Sequence, residues 1–178
     1  SLDYSHPTIW KQLDAGLRLL ELDIYHDPEG GRFSNPLGKE LVAPENWDAG
    51  FDLPGFKVFH VQDIDFLSHH ALFRDYLSDL KNWSLLHAKD ANFPDRGFVT
   101  ALPFDQSVFS LVDKELEDFL GVDKLIKPKD VSGSFKDLRT AIIESGWPEL
   151  SSSRGKFIFI LDEREPKVAE YLSNSKEG

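Results

Sequence analysis

Apolar residues along this chain switch back and forth between helical and strand spacing, and that alternation restricts the fold more than any other feature. Ile9, Leu13 and Leu17 recur every four residues, which predicts a short helix stopping at Gly16. Leu19 to Tyr25 then reads as a strand, Phe56 to Val61 as a second, Gly97 to Leu102 as a third and Lys156 to Leu161 as a fourth. Helices are expected between them. One runs from Ser68 to Trp83 with Leu72, Tyr76, Leu80 and Trp83 on one stripe, and one is marked by Val112, Leu116, Phe119 and Leu120 and ends at Gly121. A third runs from about Phe135 to Ser145, with Ser134 as its N-cap and Asp137 three residues on. A last short helix covers Pro166 to Leu172. Strands separated by helices imply an α/β fold with parallel pairing and right-handed crossovers. A complete eight-stranded (β/α) barrel takes about 250 residues. The expectation is therefore a small open sheet or part of a TIM-type barrel, and a start at Ser1 rather than Met favours the part-barrel.

The stretch from His26 to about Gly55 breaks the alternation. It is studded with Pro28, Gly30, Gly31, Pro36, Gly38, Pro44, Gly50 and Pro54, and a loop that long in a compact domain is usually functional. No internal repeat or composition shift divides the 178 residues, so the reading is one domain over 1–178 carrying a long inserted loop at about 26–55.

Composition excludes several classes of function. Twenty Lys and Arg against 31 Asp and Glu give a net charge of −11, so neither nucleic acid nor an anionic lipid surface is held by bulk attraction. A 40% hydrophobic share with 14 Phe and 4 Trp supports a real core. No apolar run approaches the roughly 18 residues of a membrane span. Without cysteine there is no disulfide, thiolate zinc site or cysteine nucleophile.

Two segments carry chemistry. In Leu19-Leu20-Glu21-Leu22-Asp23-Ile24-Tyr25, strand alternation puts Glu21 and Asp23 on one face and Leu20, Leu22 and Ile24 on the other. Paired carboxylates in a buried setting need a partner, and a hard cation such as Ca²⁺ supplies one. A solvated strand face, or ion pairs to Arg18 or Arg32, would serve as well. In Phe56-Lys57-Val58-Phe59-His60-Val61-Gln62-Asp63-Ile64-Asp65, His60 falls at the C-terminal end of a strand, the catalytic edge of parallel α/β folds. An imidazole there moves protons near neutral pH, or simply bonds a backbone carbonyl. Asp63 and Asp65 are open to reading as further ligands or as turn residues. His69 and His70, adjacent in sequence, read as surface, and Asp113, Glu115, Glu117 and Asp118 as a solvated helix face. No phosphate loop, nucleophile elbow or His-Glu-x-x-His motif is present.

Several segments together resemble the Ca²⁺-dependent phosphoinositide phospholipase C-like family, a microbial branch of the phosphatidylinositol-phosphodiesterase barrels. They are Tyr4-Ser5-His6-Pro7, Gln12-Leu13-Asp14-Ala15-Gly16-Leu17-Arg18, Glu21-Leu22-Asp23, Asp27-Pro28-Glu29-Gly30-Gly31-Arg32-Phe33, His60-Val61-Gln62-Asp63-Ile64-Asp65, Ser145-Gly146-Trp147-Pro148, Arg154-Gly155-Lys156 and Phe159-Ile160-Leu161-Asp162. They occur in the family's order and span nearly the whole chain.

The resemblance implies a partial barrel of the PLC-like phosphodiesterase kind, with its leading and closing strands missing. It implies a phosphoric diester hydrolase using two histidines and Ca²⁺. One histidine takes the inositol 2-hydroxyl proton, the other assists the departing alkoxide, and calcium stabilises the phosphate charge. Glu21 and Asp23 match the family's calcium pair, and His60 its second histidine. The substrate implied is a phosphoinositide or related phosphodiester lipid, met at a peripheral membrane contact for which Phe33, Trp47 and Phe51 are the loop aromatics on hand. Such enzymes are commonly exported, so a secreted protein is expected.

Two departures qualify this. The family's first histidine and a companion Asn lie ahead of Pro7, before this chain begins, so the expectation is that this piece alone is inactive. The third strand, Thr100-Ala101-Leu102-Pro103-Phe104-Asp105, lacks the family's closing calcium ligand, leaving Asp105 as the substitute within reach. The alternatives are a glycerophosphodiester phosphodiesterase-like enzyme and a catalytically inactive binding or structural module. The former typically brings a histidine soon after the acidic pair, whereas here His60 lies across the long loop. Open sheet edges would favour self-association.

Overall fold

The computed structural model describes residues 5–88, 98–101, 108–162 and 164–174. Asp105, Leu102 and Pro103 lie outside the described residues. A short helix α1 (Ile9–Asp14) leads into strand β1 (Leu19–Glu21). After β2 (Ile24–Asp27) come three short 3-10 helices, Leu37–Leu41, Pro44–Asn46 and Ala49–Asp52, then β3 (Gly55–Val58) and the long helix α2 (Phe73–His87). The chain continues with β4 (Phe98–Ala101), α3 (Phe109–Leu120), α4 (Pro128–Ser132), α5 (Leu138–Ser145), α6 (Leu150–Ser153), β5 (Phe157–Ile160) and α7 (Lys167–Asn174).

The strands form two separate sheets. β1, β4 and β5 make a parallel sheet in that order, with Glu21 beside Ala101 and Ala101 beside Ile160. The crossovers carry helices, as the alternation of periods requires. β2 and β3 form an antiparallel hairpin, with Tyr25 opposite Lys57. The expected strand Leu19–Tyr25 is therefore two strands, broken at Leu22-Asp23. The expected strand Phe56–Val61 is shorter and pairs antiparallel within the excursion instead of joining the parallel sheet. The physical reason is local. The Phe59 amide donates to the Asp23 carbonyl (3.3 Å) and the Tyr25 hydroxyl to the His60 carbonyl (2.9 Å), so the hairpin's hydrogen bonds are satisfied without a parallel neighbour.

Two buried clusters pack against the sheets, and the larger takes side chains from both, including Ile24 of β2 and Phe56 and Val58 of β3. The larger one buries Leu20, Leu22 and Ile24, the apolar face of the split strand, against Ile9 and Leu13 of α1 and the stripe Tyr76, Leu80 and Trp83 of α2. Val112, Leu116 and Leu120 of α3 complete it. Side chains of this size contribute about 1.5–3 kcal/mol each when fully buried. The second core is aromatic. Tyr25 and Phe59 stack with centroids 4.1 Å apart, Phe33 meets Phe59 edge-on at 5.0 Å, and Trp47 stacks on Phe51 at 5.0 Å. Phe33 and Phe51 are only 5% and 2% exposed, and Trp47 is half-buried among them. The three aromatics expected to touch a membrane are thus the interior of the excursion.

Two helix starts differ from expectation. α2 begins at Phe73 rather than Ser68, because Ser68, His69 and His70 are tied to the Tyr76 hydroxyl instead of entering the helix. α5 begins at Leu138, with Asp137 itself as the cap accepting from the Thr140 amide at 2.7 Å. The connector before α5 holds the extra helix α4, whose N1 residue is Pro128. It also adds a parallel bridge from Leu125 to Phe157 on the outer side of β5.

Candidate metal and acid–base site

The Asp27 loop shapes the excursion that carries half of the site. Asp27 is buried, and its carboxylate accepts from the amides of Gly30 (2.9 Å) and Arg32 (3.1 Å). The buried ammonium of Lys57 stands 3.6 Å from it and also donates to the Leu53 carbonyl. Gly30 has φ +80°, and a Cβ there would lie 2.5 Å from the Asp52 carbonyl oxygen, so only glycine fits. The Asp-Pro-Glu-Gly-Gly-Arg run is a tight structural turn that also positions Arg32. Its guanidinium donates to the His26 carbonyl and lies over Phe33.

Glu21 ends β1 exposed, while Asp23, two residues on, is half-buried where the chain leaves the parallel sheet for the hairpin. The Asp23 carboxyl is pushed up to about 6, first by burial and then by the negative charge of Glu21, with Asp162 and Asp65 adding to it and only His60 opposing. Asp162 follows β5. Because β1, β4 and β5 are parallel and in register, residues the same distance beyond their ends converge, and Asp23 and Asp162 each stand two places past a strand. The sequence reading missed Asp162; strand register was the signal that could have found it.

His60 lies just beyond β3, half exposed, with its Nδ1 2.7 Å from Asp65 Oδ2. Val61 and Asp65 exchange both backbone hydrogen bonds (2.9 and 2.8 Å), closing a five-residue loop that passes through Asp63 at φ +73°. That closure aims Asp65 back at the ring. Asp63 accepts from the Leu37 amide at 2.9 Å, so it is a turn residue rather than a ligand. The His60 pKa is raised above its ordinary value, mainly by the Asp65 hydrogen bond and, against the opposing effect of burial, by the charges of Asp23, Asp65 and Glu21. With Nδ1 bound to a carboxylate, Nε2 is the atom that can exchange a proton with a ligand.

The arrangement thus brings Glu21, Asp23, His60, Asp65 and Asp162 into one electrostatic neighbourhood. Among the described residues no group of three or more His, Cys, Asp or Glu side chains is arranged to hold a metal ion. The other histidines are engaged elsewhere. His70 bonds Asp79 at 2.9 Å, and His69 Nε2 lies 2.9 Å from the His6 carbonyl.

Known proteins frame this site. A solved Ca²⁺-dependent phosphatidylinositol-specific phospholipase C from Streptomyces antibioticus is similar with a TM-score of 0.57 and 21% identity, over 85% of this chain and 46% of that one. A calcium-dependent phosphoinositol-specific phospholipase C from a Gram-negative Pseudomonas is similar with a TM-score of 0.64 and 17% identity, over 97% of this chain and 57% of that one. The chain thus spans about half the length of each. Comparison with curated proteins returns no match. A sequence profile described as "Phosphoinositide phospholipase C, Ca2+-dependent" matches residues 1–177. The chain belongs to the Ca²⁺-dependent phosphoinositide phospholipase C family.

Proposed function

We propose that this chain forms part of the TIM-type barrel of a calcium-dependent phosphodiesterase acting on a phosphoinositide or related lipid. Glu21 and Asp23 supply calcium ligands, and His60 moves a proton. The observation that carries this is the family match over residues 1–177, with Glu21 closing β1 and Asp23 two residues beyond it. Burial and then the negative charge of Glu21, joined by Asp162 and Asp65, raise the Asp23 carboxyl, with His60 opposing, so acidic groups gather around this half-buried position. A hard divalent cation fits that donor chemistry. When bound there, Ca²⁺ would stabilise charge on the phosphate and lower the pKa of the attacking hydroxyl. A few carboxylates of modest affinity suit the millimolar calcium outside a cell, which supports an exported protein.

His60 suits the donor half of the reaction. Asp65 fixes the imidazole and favours its protonated form, so Nε2 can hand a proton to the departing alkoxide. Asp65 is a positioning residue, acting through His60.

Calorimetric titration of Ca²⁺ into this chain tests the reading. Binding in the submillimolar range, lost in Asp23→Asn, is expected; equal heats in both proteins would sink it. The same variant has a second readout without metal. A raised acid stabilises the fold below its unfolded pKa and loses that contribution as pH rises through its folded one. Asp23→Asn mimics the protonated form, so its melting temperature should exceed the parent's above pH 6 and match it below about 3.8.

A further inference from the structure

The antiparallel ladder of β2 and β3 runs from Asp27 opposite Gly55 to Ile24 opposite Val58. One step further, the Phe59 amide still reaches the Asp23 carbonyl at 3.3 Å. The step after that would set Leu22 opposite His60, but there the chain has turned away toward β1, and the ladder stops short of the histidine. A main chain that outruns its strand neighbour needs another partner. The Tyr25 hydroxyl provides one, donating to the His60 carbonyl at 2.9 Å. The pleat sets its reach: Tyr25 pairs with Lys57, so Phe59, two residues on, shares its face. The two rings stack with centroids 4.1 Å apart and planes 2° from parallel, which carries the phenol oxygen to the next residue, His60.

We infer that Tyr25 is a positioning residue, whose hydroxyl replaces the missing ladder bond and so keeps the His60 ring aimed at Asp65. Its place in catalysis rests on the proton-moving role given to His60 above, but the geometric argument is independent. His60 is fixed on both flanks. Ahead of it the Phe59 amide is bonded to Asp23, and behind it Val61 and Asp65 close their loop with bonds of 2.9 and 2.8 Å. Between them the imidazole Nδ1 meets Asp65 Oδ2 at 2.7 Å, although the ring is half exposed. A half-exposed ring has little packing to hold it, so its aim depends on the main chain that bears it. The peptide unit held by the phenol is the one that joins His60 to the loop carrying its carboxylate. Removing the hydroxyl costs one neutral hydrogen bond and leaves the ring stack in place, so the fold should hold while the histidine loosens. The same short segment thus supplies Asp23 and, two residues on, the group that seats His60. The spacing between the acidic pair and the proton-moving ring is set there.

Tyr25→Phe, which removes the oxygen and keeps the ring, tests this in the metal-free chain in EDTA. Heteronuclear NMR of the nitrogen-labelled imidazole, above the His60 titration midpoint, reads which ring nitrogen carries the proton. The parent should show His60 mainly as the Nδ1–H form with well-separated nitrogen shifts, because Asp65 accepts from Nδ1. In Tyr25→Phe the Nε2–H form should rise roughly three- to tenfold and draw the two shifts together, while the near-UV melting transition of the aromatic cluster is kept. Phe59→Leu removes the stack and keeps the hydroxyl, so it should lower the melting temperature and leave the tautomer as in the parent. An unchanged tautomer in Tyr25→Phe overturns the inference. Loss of the near-UV transition in Tyr25→Phe, or a larger tautomer change in Phe59→Leu, overturns it as well, since either gives the role to packing. The functional reading fails separately: a chain that gives no calcium heat yet shows the hydroxyl-dependent tautomer loses the enzyme and keeps Tyr25 in this role.

Discussion

The parallel sheet and the hairpin excursion solve the same problem with different chemistry. Around the sheet, aliphatic side chains at helical and strand spacing pack in layers, and polar groups are few. Trp83 shows the exception handled well: it is fully buried, its Nε1 donates to Asp14 at 2.8 Å, and Arg18 lies 4.5 Å over its ring. The excursion has almost no regular structure to satisfy its backbone, so carboxylates do that work. Asp27 holds Gly30 and Arg32, and Asp48 holds Gly50 and Ala71, both at 2.7 Å. Stacked rings fill the space between. The contrast teaches that periodic pattern builds the scaffold, while the loop depends on a few buried charges whose loss cannot be repacked.

The largest effect should come from the sheet side. Trp83→Ala should cost about 3–5 kcal/mol and shift urea unfolding monitored by far-UV and near-UV signals together. If the far-UV signal moved while the near-UV signal of the aromatic cluster stayed in place, the two cores would be independent. Lys57→Met strands the buried Asp27 carboxylate and should cost about 3 kcal/mol or more, melting the aromatic near-UV signal ahead of the helices. Adding Asp27→Asn should recover much of that loss; no recovery would mean that packing, not charge, holds the turn. The smallest effect is local. Asp65→Asn should lower the NMR titration midpoint of His60 without a measurable change in melting at pH 8. The raised His60 pKa stabilises the fold below its ordinary value and loses that contribution as pH rises through the folded one, so any stability difference belongs to acidic pH.

The same contrast explains what the sequence disclosed. Leu20, Leu22 and Ile24 are buried and Glu21 and Asp23 are not, as alternation required, and the α2 and α3 stripes lie in the core. Gly121 and Gly146 follow the last residues of α3 and α5. These are periodic signals, and period survives folding. The break at Leu22-Asp23 carries no such mark. Nor does the antiparallel pairing of β2 with β3, which is decided by hydrogen bonds across a long loop. Asp65 looked like one turn residue among several until loop closure turned it onto His60. The acidic face of α3 is only partly solvated: burial raises the Glu115 pKa.

The split at Leu22-Asp23 has a thermodynamic consequence. Glu21 lies on the parallel sheet, whereas the Asp23 carbonyl is bonded to Phe59, one residue before His60, so Asp23 and His60 are tied to the hairpin. On the proposed reading, one cation is ligated from both sides of that break. Its affinity then depends on how the two sheets meet, and reciprocity follows: any change that stabilises this junction in its binding geometry must tighten calcium, and calcium must stabilise the junction in return by the same factor.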